Sequence, residues 1–92
     1  MMHPVGIMKH HRLKPNEEQL LREVVLKHRP GLLPMLDLIG ARPLTADQRE
    51  SLREPVATEL VDEGFDEGGS INPRGADLEN LIDRLWLLSD RT

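Results

Sequence analysis

Cysteine and tyrosine are both absent from this chain, and its aromatic side chains are reduced to Phe65 and Trp86. The lack of cysteine excludes a disulfide scaffold, a thiolate zinc site and a cysteine nucleophile at once. It fits a reducing compartment, so a cytoplasmic location is the expectation. The lack of aromatics means that leucine, valine and isoleucine must build the interior. No run approaches the roughly 18 apolar residues needed to span a bilayer, so no membrane segment is expected. The first fifteen residues lack the continuous apolar stretch of a signal peptide. What remains is an ordinary globular balance: 92 residues, 38% apolar and 30% charged, enough for one modest core and too few for two domains.

The charge is uneven. Residues 1–29 carry six Lys/Arg and three Glu, a net of +3. Residues 30–92 carry six Arg and thirteen Asp/Glu, a net of −7, which together give the overall −4. The body should repel a phosphate backbone and attract a basic surface. The plainer alternative is an acidic surface kept for solubility.

Hydrophobic spacing and capping residues predict helices. Residues 1–15, MMHPVGIMKHHRLKP, show no helical period and read as an irregular N-terminal arm. Residues 16–92 read as a single helical domain. Asn16 is the expected cap of a first helix whose inward face is Leu20, Leu21, Val24 and Val25. Lys27, His28 and Arg29 suit the negative end of its dipole, and Pro30-Gly31 stops it. A shorter helix over Leu33 to Ile39 should end at Gly40. Thr45 and Gln48 form a capping box for a third segment with Leu52, Val56, Leu60 and Val61 inward and Gly64 at its end. Pro55 disturbs that segment. A second capping box beginning at Ser51 predicts either a kink there or two pieces, 46–50 and 52–63. Residues 64–72 read as a loop that Phe65 and Ile71 pin to the core. Asn72 and Pro73 open the last helix, whose stripe of Leu78, Leu81, Ile82, Leu85 and Leu88 is the clearest period in the chain. Together these predict an all-α, compact array of three to five short helices.

Chemistry-bearing motifs fail on spacing. An EF-hand loop counted from Asp62 would need Gly and Glu where Glu67 and Pro73 stand. Counted from Asp66, those places hold Ile71 and Asp77. His3, His10, His11 and His28 form no zinc-ligand pair. Ser51, Ser70 and Ser89 have no nucleophile elbow. No glycine-rich phosphate loop occurs. No catalytic, cofactor-binding or metal residue is therefore assigned, and no cofactor is expected. A helix-turn-helix built from the last two helices would need a loop of three or four residues, not about nine. Its recognition helix would carry Asp77, Glu79 and Asp83 against Arg74 and Arg84, the wrong sign for DNA.

From Pro43 to Leu85 the chain carries PLT-x-x-QRE-x-LR, then an acidic glycine loop, then N-x-RG-x-x-LE-x-LIDRL: Pro43-Leu44-Thr45, Gln48-Arg49-Glu50, Leu52-Arg53, Asn72, Arg74-Gly75 and Leu78-Glu79 through Leu85. This half of the chain resembles a group of small bacterial helical proteins with no assigned activity. The resemblance implies a bacterial origin and transfers no functional residue. Pro55 departs from the alanine-like residue of that pattern.

The expected function is a non-enzymatic protein–protein interaction module for a more basic partner, of the immunity-protein, antitoxin or accessory-subunit kind, or one that pairs with itself as a homodimer. The expected contact residues lie near the end of the last helix. With Leu85 inward and about 100° per residue, Trp86 falls on the flank and Leu87 points outward. Asp83, Arg84 and Asp90 ring them. The bland reading is an exposed leucine beside a tryptophan that covers the core edge. The alternative function is a nucleic-acid-associated factor acting through Lys9, Arg12 and Lys14.

Overall fold

The structure, a computed structural model, describes residues 13–39 and 42–88. These residues are 74% helical, with four α-helices, and the fold is all-α. The order is α1 (Pro15–His28), a 3-10 turn (Pro30–Leu32), α2 (Leu33–Leu36), α3 (Ala46–Glu63) and α4 (Pro73–Leu88). Among the described residues no helix is long and apolar enough to cross a membrane.

Helix α1 starts earlier than Asn16. Lys14 is its cap, Pro15 takes the first helical position, and Glu17 Oε1 accepts the Lys14 N–H at 2.8 Å. Proline wins because that position needs no donor and its φ is preset for a helix. Leu13 packs on the core, and Leu21, Val24 and Val25 are buried as expected. The second helix is shorter than predicted. Pro30 opens a 3-10 turn, α2 ends at Leu36, and residues 37–39 form a turn. The Gly40 cap lies outside the described residues.

Helix α3 corrects two expectations. Its start is the predicted box, in which the Gln48 N–H donates to Thr45 Oγ1 at 3.1 Å and Thr45 N–H donates to Gln48 Oε1 at 2.9 Å. It then runs unbroken through Pro55, so the two-piece reading is wrong. The ring of Pro55 is fully buried, and its packing offsets the hydrogen bond that Ser51 C=O loses. The inward face is also different. Leu52, Pro55, Val56 and Glu59 are buried, Leu60 is half-buried and Val61 is 74% exposed. Val61 stands nine residues after Leu52, on the opposite side of the helix. Glu59, seven residues after Leu52, holds the inward seat.

The α3–α4 corner is set by backbone approach. A Cβ on Gly75 would lie 2.1 Å from Gly64 O, so only glycine fits. The Asn72 N–H donates to Gly64 O at 2.9 Å, and Asn72 Oδ1 accepts the Gly75 N–H at 2.7 Å as the cap of α4. Phe65 and Ile71 pair across the loop as an antiparallel bridge, but neither is pinned inside: they are 47% and 40% exposed. Ile71 covers the glycine contact from outside, since a Cβ on Gly75 would also lie 2.6 Å from Ile71 Cγ1.

Helix α4 buries Leu78, Leu81, Leu85 and Leu88, with Ile82 half-buried. At its far end the Leu44 N–H donates to Leu88 O at 2.8 Å and Leu44 is buried. Among the described residues the buried apolar cluster contains only Leu and Val.

Candidate interaction surface

Trp86 and Leu87 stand on the last turn of α4, 53% and 49% exposed. Both follow from the register that places Leu85 and Leu88 inward. The indole is held rather than loose: the Arg49 guanidinium, from the first turns of α3, lies 4.1 Å from its ring centroid. A cation over an indole face is attracted by the ring quadrupole, which fixes the plane of the anchor. Asp83, one turn before Leu87, is exposed. Arg84 instead faces α1, with Nε 3.4 Å from Glu17 Oε1. The structure thus brings Trp86, Leu87 and Asp83 to one outer face of α4. Asp90 lies outside the described residues, as do Lys9, Arg12, His3, His10 and His11. Lys14 is exposed at the start of α1.

A second polar constellation sits at the other end of α3. The Glu59 carboxylate is 1% exposed and meets donors from the two neighbouring helices, α1 and α4. Lys27 Nζ and His28 Nε2 lie 3.0 and 2.8 Å from Oε1, and Arg74 Nε and Nη2 lie 3.0 and 2.9 Å from Oε2. A carboxylate only accepts, so the imidazole donates from Nε2. Burial pushes the Glu59 carboxyl up, but the hydrogen bonds from His28, Lys27 and Arg74 outweigh it. They hold the group at about 2, against an ordinary 4.5. Arg29 adds an ion pair to Glu54 beside this junction.

This arrangement ties α1, α3 and α4 together rather than presenting a reactive group. Both carboxylate oxygens are already saturated by donors, which leaves no lone pair facing a substrate. Among the described residues no three His, Asp or Glu side chains are placed to hold a metal ion. Sequence reasoning missed the junction. It read Lys27 and His28 as dipole partners, although Glu59 at the inward spacing of α3 was the available signal, since a carboxylate is seldom buried unless paired.

No protein-family model, curated protein or solved structure matches the chain. The surface must therefore be read from its own chemistry: a fixed indole, an outward leucine and a neighbouring carboxylate on an otherwise acidic body.

Proposed function

We propose that the chain is a non-enzymatic interaction module that docks on a more basic protein through Trp86 and Leu87. Its role would be that of an immunity protein, antitoxin or accessory subunit. The observation that carries this reading is the exposure of Trp86, 53%, in a protein whose buried cluster is wholly aliphatic. Tryptophan gives more binding energy per side chain than most residues, especially when held in place beforehand. Arg49 supplies that restraint. Asp83 and the net −7 of residues 30–92 favour a cationic counterpart.

Leu87→Asp tests the proposal. The side chain is half exposed, so the helical circular dichroism spectrum and the melting point should hardly move, within about 0.5 kcal/mol. Capture of a basic protein from nuclease-treated host extract should be lost. Capture that persists in the variant refutes this surface. Capture that disappears with nuclease, or with neutralisation of Lys9, Arg12 and Lys14, favours the nucleic-acid reading instead.

A further inference from the structure

The opposite end of the α3–α4 pair carries a second apolar group on the outside. Val61 is 74% exposed, Phe65 47% and Ile71 40%. The Gly64 N–H still bonds to Leu60 O at 2.9 Å, so the helical path continues to Gly64 and Phe65 follows one turn after Val61. Phe65 and Ile71 are bridge partners, which sets them side by side.

The loop between them is built to hold its shape. Asp66 Oδ1 accepts the N–H groups of Gly68 and Ser70, each at 3.0 Å, and the Asp66 N–H donates to Ser70 O at 2.8 Å. Gly69 takes φ +87°, which only glycine adopts without strain. At the base, Asn72 Nδ2 donates to Glu63 O at 3.0 Å. A rigid apolar group loses little entropy when something binds it.

Its rim has one sign. Asp62, Glu63, Asp66 and Glu67 are all exposed, and residues 61–72 contain no Lys or Arg. The nearest cation along the chain, Arg74, has its guanidinium on Glu59. Such a rim repels phosphate, whether in nucleic acid or an anionic membrane, and attracts a cation that brings an apolar side chain with it.

We infer that Val61, Phe65 and Ile71 form a second docking surface, whose occupant is a basic peptide segment of a protein partner carrying apolar anchors. The surface stands apart from Trp86: residues 73–85 of α4 lie between Ile71 and Trp86, roughly 20 Å of helix. It does not depend on what Trp86 does.

The test uses the full, isotope-labelled chain titrated with three short synthetic peptides: amphipathic Lys/Leu, Glu/Leu in the same pattern, and Lys/Ser. Only Lys/Leu should give saturable amide shifts across Val61–Ile71. Phe65→Ser and, separately, Glu67→Arg should each weaken that binding at least about tenfold, which is about 1.4 kcal/mol. Glu67 lies on the loop tip, so its variant decides the matter should Phe65→Ser fail to fold. Leu87→Asp should leave these shifts unchanged. The inference is overturned by no saturable shift in this segment, by an equal response to Glu/Leu or Lys/Ser, by shifts confined to Trp86 and Leu87, or by unweakened binding to Glu67→Arg. Amide shifts in Val61–Ile71 on deletion of residues 1–12, with no peptide added, would make the occupant this chain's own segment and overturn the partner assignment.

Discussion

The two ends of the α3–α4 pair hold together by different physics. At one end the helices meet through Gly64 and Gly75 with backbones in contact, and next to them a buried carboxylate gathers Lys27, His28 and Arg74. At the other end leucines do the packing, and Trp86 lies outside under Arg49. The first end depends on contacts with no tolerance for shape or charge. The second depends on burial, which is forgiving of small changes. Substitutions should therefore be severe at the glycine–carboxylate end and mild at the tryptophan end.

The largest effect is expected from Gly75→Ala. The new Cβ would meet the carbonyl of Gly64, which is backbone and cannot swing away. The loss should be about 3 kcal/mol or more, read as a drop in urea midpoint with unchanged slope. A variant as stable as the parent would break the contrast between the two ends.

Glu59→Gln comes next. It keeps the volume but removes the charge to which three donors are aimed. The cost should be about 2 to 3 kcal/mol, moderated because Lys27 and Arg74 are half exposed and can return to water.

Acid should reach the same junction. The Glu59 carboxyl is lowered in the folded state, from an ordinary 4.5 to about 2. Its contribution is thus complete above pH 4.5 and is lost as pH falls toward 2. By pH 3 the loss should be roughly 2 kcal/mol. Glu59→Gln should lack this part of the acid dependence, so urea midpoints of the two proteins should converge as pH falls. Parallel curves would show that the buried Glu59 carboxylate is not what holds this end.

The smallest effect belongs to Pro55→Ala, midway along α3. Alanine restores the bond to Ser51 C=O, worth about 3 kcal/mol with its better helix propensity. It also empties part of a buried site and loosens the unfolded chain. Thermal melts should show a net gain under about 1 kcal/mol. A gain of 2 kcal/mol or more would mean that the ring contributes nothing to packing.

What the sequence disclosed follows from range. The Thr45–Gln48 box, the Asn72-Pro73 start and the Leu78–Leu88 stripe were legible because each is settled within a few residues of itself. Trp86 and Leu87 were placed outside by the same local register. The Glu59 junction was not legible in that way, since its donors come from 31 and 32 residues before it and 15 after. Val61 reads as inward from its apolar side chain alone, whereas its spacing from Leu52 puts it on the outer side of α3. Phe65 and Ile71 read as pins of the loop on the core because they are its two large apolar residues. Their half-exposed seats are a tertiary outcome, with Ile71 lying over the Gly75 that meets Gly64.

The placement of the single tryptophan also gives this protein an unusual optical signature. Its only indole is half in solvent while every buried apolar residue in the core cluster is transparent in the near ultraviolet. Emission from the native state should already be shifted toward the red, and denaturation should change it little. Anything that settles on Trp86 should move the emission to the blue and screen it from an added quencher. The fluorophore that in most small domains reports unfolding here reports occupancy.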